Sequence, residues 1–212
     1  MNLKDFIRSI PDYPKKGILF RDITTLIEDA DAFEECINQI IERSKNYKID
    51  KIAAIESRGF VFASAVSYLL KKPFIMLRKK NKLPSETFSV DFELEYGTAT
   101  IEVHKDSIDK GDSVLIIDDL IATGGTAEAA AKLVEMSDAK VAAFIFTINL
   151  FDLGGSDNLT KNGYKIENLM DFPGHWYFLS TLYEDRFPTI ELNKPKNLLE
   201  YLTCIFLLKV DV

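Results

Sequence analysis

Apolar positions recur along the chain at two spacings, and the alternation between them sets the first expectation. Leu3, Phe6, Ile7 and Ile10 stand at i, i+3, i+4 and i+7, which predicts a short amphipathic helix ending at Pro11. A loop punctuated by Pro14 and Gly17 follows. Asp31 with Glu34 three residues on reads as a capping box for a second helical stripe through Phe33, Cys36, Ile37, Ile40 and Ile41. Residues 51–55, 74–77, 113–117 and 141–148 are short apolar runs and read as strands, whereas 60–70 and 126–136 keep helical spacing. Residues 98–103 alternate as an exposed strand, 109–112 form a turn, and 79–98 are polar with little periodicity. Strands separated by helices predict an α/β fold, an open, doubly wound, mostly parallel sheet flanked by helices.

Composition narrows the function classes. The 212 residues are 47% apolar, enough for a core, and carry a net charge of -7. An acidic surface disfavours nucleic acids and anionic membranes, so no nucleic-acid or membrane partner is expected, and an anionic ligand must meet a local cluster of cations. Cys36 and Cys204 make neither a disulfide framework nor a metal site and are read as reduced. The N-terminus, with Asp5 in its first turn, does not read as a signal peptide, and the apolar stretch 198–212 is broken by Glu200 and Lys209. A cytoplasmic location is expected.

The most informative segment runs from Val114 through Asp118, Asp119, Ala122, Thr123, Gly124, Gly125 and Thr126 into an alanine-rich helix. In an open α/β sheet, ligands sit at the carboxyl ends of strands, and a glycine loop entering a helix offers backbone N–H groups to an anion. Gly124 and Gly125 allow close approach, and Thr123 and Thr126 add hydroxyl donors. With no lysine after the glycines the segment is not a P-loop. Two carboxylates beside a phosphate cradle make sense if they accept hydrogen bonds from ribose hydroxyls of the same ligand, with Mg²⁺ offsetting their charge. The segment resembles the phosphoribosyl pyrophosphate motif of type I phosphoribosyltransferases.

The resemblance extends to the adenine-specific members, over residues 3–175. It is carried by Ile10-Pro-Asp-Tyr-Pro14 and Gly17-Ile-Leu-Phe20-Arg21-Asp22, by Glu56-Ser57-Arg58-Gly59-Phe60, and by Arg78-Lys79-Lys80-Asn81-Lys82 leading to Glu95-Tyr96-Gly97. Phe151-Asp152-Leu153-Gly154-Gly155 and Phe172-Pro173-Gly174-His175 add to it. The resemblance implies an adenine site at Leu19, Phe20 and Arg21, with Phe20 able to stack on a flat purine. It also implies a phosphoribosyl pyrophosphate site at Ser57, Arg58, Arg78, Lys79, Lys82, Asp118, Asp119 and the loop from Ala122 to Thr126. Arg58 can grip phosphate oxygens through paired donors. Mg²⁺ would be bound mainly through the substrate, with Asp118 and Asp119 nearby. Glu95 is the expected acid/base residue, residues 79–98 the mobile hood, and Ser57-Arg58 a cis peptide bond. The cation run would reach pyrophosphate partly across a homodimer interface.

These features imply purine salvage by phosphoribosyl transfer to adenine. Two alternatives remain open at this point: a phosphoribosyltransferase for another base, such as xanthine, hypoxanthine/guanine or orotate, and a non-catalytic phosphoribosyl pyrophosphate-binding regulator. A 6-oxopurine calls for a donor where adenine's amino group calls for an acceptor. The expected organisation is a phosphoribosyltransferase domain over 1–175, with an N-terminal hood segment over about 1–30, and a C-terminal extension over 176–212 of unknown role. The extension is strongly apolar at 176–179 and 198–208.

Overall fold

The computed structural model describes residues 1–94 and 97–174. Glu95, Tyr96, His175, Cys204 and the whole extension at 176–212 lie outside the described residues.

A small antiparallel pair opens the chain: β1 (Arg8–Pro11) runs against β2 (Leu19–Asp22), with Arg8 opposite Asp22 and Ile10 opposite Phe20. The expected helix over residues 3–10 is therefore confined to a 3-10 turn, Leu3–Phe6. Leu3 and Ile7 are buried as their spacing required, but from Arg8 on the backbone is drawn into pairing with β2. Arg8 is ion-paired with Asp22, and Thr25 Oγ1 donates to the Phe6 carbonyl at 2.6 Å. Asp22 also accepts from the backbone and hydroxyl of Thr24, and these hydrogen bonds hold its pKa down at about 2.

Helices α1 (Thr24–Glu28) and α2 (Ala30–Ser44) follow. The cap of α2 is Asp29, whose carboxylate accepts from Ala32 N–H at 2.9 Å, so the helix is capped two residues ahead of the expected Asp31. Strand β3 (Lys51–Ile55), helix α3 (Gly59–Leu70) and strand β4 (Phe74–Lys79) form a βαβ unit. Next come β5 (Thr87–Leu94), β6 (Gly97–His104) and β7 (Ser113–Ile121), then α4 (Gly125–Glu135), β8 (Lys140–Leu150), α5 (Gly155–Lys161) and β9 (Ile166–Phe172).

The seven-stranded sheet has the order β5-β6-β4-β3-β7-β8-β9. From β4 to β9 its pairs are parallel, and β6 and β5 continue it antiparallel at one edge. Strand β5 occupies a stretch expected to be irregular. Phe88, Val90 and Phe92 alternate toward the apolar cluster under α4 while Ser89, Asp91 and Glu93 are exposed.

The central strands lack polar alternation because both faces are covered. Ile52, Leu115 and Ile117 pack with Cys36, Ile40, Phe62 and Val66 of α2 and α3. Ala53, Val114 and Ile116 pack with Ala130, Ala131 and Val134 of α4. The buried Cys36 thiol is pushed up to about 12 by loss of solvation, which makes it an inert core residue. Every parallel strand sends its carboxyl end to the same side, and there the loops expected to hold substrate are gathered.

Candidate active site

Three strand-to-helix junctions meet at that edge, those following β3, β7 and β8. The first two border a cleft of about 460 Å³ lined by Glu56, Ser57, Arg58, Glu93, Asp118, Asp119 and residues 120–127.

Asp118 and Asp119 are the sixth and seventh of the nine residues of β7 rather than part of the loop beyond it. Asp119 is 4% exposed, and Asp118 Oδ1 accepts the Asp119 backbone N–H at 3.0 Å. Asp119 Oδ2 is buried and makes no aligned hydrogen bond, although Arg58 Nε lies 2.9 Å away as an ion-pair partner. Burial pushes both carboxyls above their ordinary range. For Asp118 the charge of Asp119 adds to the effect, and for Asp119 the Arg58 cation opposes it. A site that strains to keep two carboxylates ionised attracts hydroxyl donors or a cation. Gly59 lets the start of α3 approach them, since a Cβ there would lie 2.6 Å from Asp118 Oδ1.

The loop from Ala122 to Thr126 wraps the N-terminus of α4. Gly124 caps it with φ +95°, a left-handed conformation suited to glycine, and the helix opens at Gly125. A Cβ at Gly125 would lie 3.0 Å from the Glu93 carbonyl, so the end of β5 sits over this turn. A second layer supports it from below: Gly155 N–H donates to the Ala122 carbonyl at 3.0 Å.

Phe20 of β2 adjoins one of the cleft residues, Arg58. Its ring has the Arg58 guanidinium 5.7 Å from its centroid and packs edge-on with Tyr13 at 5.1 Å. Arg58 therefore stands between an aromatic face and the Asp119 carboxylate. Leu19 is 2% exposed, and its N–H donates to the Gly174 carbonyl at 3.3 Å. The Arg21 side chain is buried among Ser9, the Pro173 carbonyl at 2.9 Å and the Phe172 ring at 4.5 Å. Burial lowers its pKa to about 10, with Asp152 opposing. Arg21 thus ties β2 to residues 172–173.

The cations of the 78–82 run are placed differently from one another. Arg78 is engaged by Glu56, Lys79 and Lys82 have exposed side chains, and none of the three is part of the cleft lining. The cis peptide expected at Ser57-Arg58 is one bond earlier, at Glu56-Ser57. Sequence reasoning missed Glu56 and Glu93 as cleft residues. Glu93 differs from the expected Glu95 by one strand period, and Glu56 was visible only as part of a motif.

Among the described residues no three Asp, Glu, His or Cys side chains are grouped to cage a metal. The Asp118 and Asp119 pair, whose buried Asp119 Oδ2 has an ion-pair partner in Arg58 but no aligned hydrogen bond, fits a cation carried mainly by a ligand's own oxygens.

Comparison with known proteins agrees with this geometry. The phosphoribosyl transferase domain family matches residues 24–168. The adenine phosphoribosyltransferase of Pelagibacter ubique (strain HTCC1062) is 93% identical over 175 residues, 82% of this chain and 100% of that protein. The crystal structure of adenine phosphoribosyltransferase from Thermoanaerobacter pseudethanolicus superposes with a TM-score of 0.77 at 47% identity, covering 80% of this chain and 98% of that one. The Saccharomyces cerevisiae enzyme, crystallised with an imino-altritol bisphosphate and adenine, gives 0.74 at 35% identity, covering 79% and 96%. The strand-end carboxylates, the glycine-capped helix and the hood thus sit in a chain that belongs to the phosphoribosyltransferase family, in its adenine phosphoribosyltransferase branch.

Proposed function

We infer that the protein transfers the 5-phosphoribosyl group of phosphoribosyl pyrophosphate to adenine, releasing AMP and pyrophosphate in purine salvage. The observation that carries this reading is the contiguous arrangement of Phe20, Arg58, Asp119 and the α4 N-terminus, which matches base, ribose and phosphate in turn. In the reaction the anomeric C–O bond breaks toward pyrophosphate, a C–N bond forms to the purine, and the purine loses its ring proton. Charge becomes positive on the ribose and negative on the leaving group.

The chain's groups answer each part. Backbone N–H groups of residues 124–126 and the Thr123 and Thr126 hydroxyls hold the 5-phosphate. Asp118 and Asp119 accept from the ribose hydroxyls and lie near the developing cation. Ser57 and Arg58, with Arg78, Lys79 and Lys82, meet the pyrophosphate. Phe20 stacks on adenine, the backbone at Leu19 addresses its polar edge, and Arg21 holds that strand in place. Glu95 is assigned the purine proton. Asp118 and Asp119 would stand beside a Mg²⁺ carried in mainly by the substrate's own oxygens, and that ion would supply charge neutralisation at the pyrophosphate. The hood over residues 79–98 excludes water from the sugar cation.

The deciding experiment incubates the protein with Mg²⁺, phosphoribosyl pyrophosphate and adenine, hypoxanthine, guanine, xanthine or orotate separately and identifies the nucleotide. AMP from adenine alone is expected, and a different product overturns the assignment. Phe20→Ala is expected to raise KM for adenine about tenfold to hundredfold, from the ~1–3 kcal/mol of one base–aromatic stack, with KM for phosphoribosyl pyrophosphate little changed. An equal rise in both constants would remove Phe20 from the base site.

The active form is assigned as a cytoplasmic homodimer. Val61, Tyr68 and Leu69 on α3, with Met76 on β4, leave apolar surface exposed, Tyr68 at 83%. No helix among the described residues is long and apolar enough to cross a membrane. Sedimentation of Tyr68→Glu is expected to show monomer where the parent chain shows dimer. A variant that remains dimeric places the interface elsewhere. Catalysis is assigned to residues 1–175, with 176–212 as an added segment.

A further inference from the structure

We propose that Glu56 is a positioning residue of the pyrophosphate subsite, holding Arg78 and the backbone at Lys79 in the arrangement that meets the leaving group. The proposal rests on the phosphoribosyl transfer inferred above.

A carboxylate in the wall of a cleft built for a polyanion repels the ligand, so its presence there needs a reason. Glu56 follows directly on β3, and its N–H still donates to the Leu77 carbonyl at 2.9 Å, continuing the β3–β4 ladder past its last pair. Its side chain, 14% exposed, reaches across to β4. Oε2 accepts from Arg78 Nε at 3.3 Å and Oε1 from Arg78 Nη2 at 3.3 Å, a two-point grip on the planar guanidinium. Oε2 also accepts the Lys79 backbone N–H at 2.9 Å. These bonds hold the Glu56 carboxyl below its ordinary range, with Arg78 the leading cause.

The two-point grip uses one edge of the fork. Nη1 is left with a long 3.5 Å contact to the Lys82 carbonyl, so donors on the far edge stay available for a ligand. Lys79 ends β4 directly after Arg78 and Lys82 lies in the turn beyond, so fixing the Lys79 backbone fixes where that turn starts. Glu56 thus exchanges some attraction for order in three cations.

The two effects of Glu56 have opposite signs, which makes the proposal testable. If the carboxylate acts only as a through-space charge, Glu56→Gln removes repulsion and tightens phosphoribosyl pyrophosphate. If it positions Arg78 and Lys79, the same change loosens the cations and weakens binding. The expected result for Glu56→Gln in the full chain is a KM for phosphoribosyl pyrophosphate raised about tenfold to hundredfold, as for other outer-layer partners of charged ligand sites. KM for adenine and the unfolding temperature stay close to the parent values. Calorimetric titration with magnesium pyrophosphate should show weakened binding in the same range. Added to Arg78→Ala, Glu56→Gln should have little further effect, since its partner is already gone. Glu56→Asp, which keeps the charge but falls short by one methylene, should lie between.

An unchanged or lowered KM for phosphoribosyl pyrophosphate, or full additivity with Arg78→Ala, overturns the proposal. Absence of AMP from the parent chain would overturn the reaction assignment instead, and the pyrophosphate titration would still decide the role of Glu56.

Discussion

The double variant Asp118→Asn with Asp119→Asn is expected to lose AMP formation by about a thousandfold in kcat/KM while its unfolding temperature at neutral pH equals or exceeds that of the parent chain. The loss follows from the proposed role of the pair as the acceptors for the ribose hydroxyls beside the developing positive charge. The stability result follows from their burial. Both carboxyls titrate above the ordinary carboxylate value in the folded chain. The native state therefore binds more protons than the unfolded chain from about pH 3.8 up to the raised folded value, and stability falls as pH rises through that window. Asparagine has no proton to lose and escapes this penalty, and at position 118 it can still accept the Asp119 N–H. Arg58 loses its partner, but its side chain is 41% exposed and remains solvated. Steady-state kinetics with thermal denaturation checks both halves. Retained turnover removes the ribose assignment, and a large fall in unfolding temperature would mean that the pair supports the fold.

What could be read from the sequence depended on how local each signal was. Strand β7 and its loop were legible because the apolar run, the Asp118 and Asp119 pair and the glycines are contiguous, and each restricts the backbone or chemistry on its own. Phe20 stood out as an aromatic in a polar stretch, and the structure places it beside Arg58. Strand β5 was hidden although Phe88, Val90 and Phe92 keep a period of two, because the charged residues around them give the segment the composition of a loop. The first turn was misread for a different reason. Leu3, Phe6 and Ile7 satisfy a helical spacing that a 3-10 turn followed by a strand also satisfies, and only pairing with β2 decides between them. At α2, Asp29 and Asp31 are chemically equivalent candidates two residues apart, and the backbone of Asp29 is the extended one. Arg21 was expected at adenine because it adjoins Phe20. In β2, however, neighbours point to opposite sides, and with Phe20 beside Arg58 the Arg21 side chain is turned toward Ser9 and Pro173. Its partners, Ser9 and Pro173, lie 12 and 152 residues away in sequence. Glu56 belongs with it, since its meaning depends on Arg78, which the sequence places 22 residues away.

Gly154 and Gly155 show the limit of sequence reading most sharply, and they carry the second large prediction. In the sequence they are adjacent identical residues in one motif, yet their surroundings are opposite. A Cβ at Gly154 would meet nothing within 4 Å, and the residue needs glycine only for its φ of +73°. A Cβ at Gly155 would lie 2.3 Å from the Ala122 carbonyl oxygen and 2.8 Å from the Gly124 nitrogen, both backbone atoms of the phosphate loop. Gly154→Ala is therefore expected to cost about 1–2 kcal/mol of stability through left-handed strain and to leave KM for phosphoribosyl pyrophosphate within about twofold. Gly155→Ala must separate two backbones that share the hydrogen bond from Gly155 N–H to Ala122. It is expected to lower stability by about 1–3 kcal/mol and to raise that KM at least about tenfold, because the loop it displaces is the one proposed to receive the 5-phosphate. Phe20 is not among the nearest groups that a Cβ at Gly155 would meet, so KM for adenine should change much less. Measured side by side, the pair separates backbone strain from displacement of the loop. If Gly154→Ala raised KM as much as Gly155→Ala, the second layer beneath the phosphate loop would not be what sets its position.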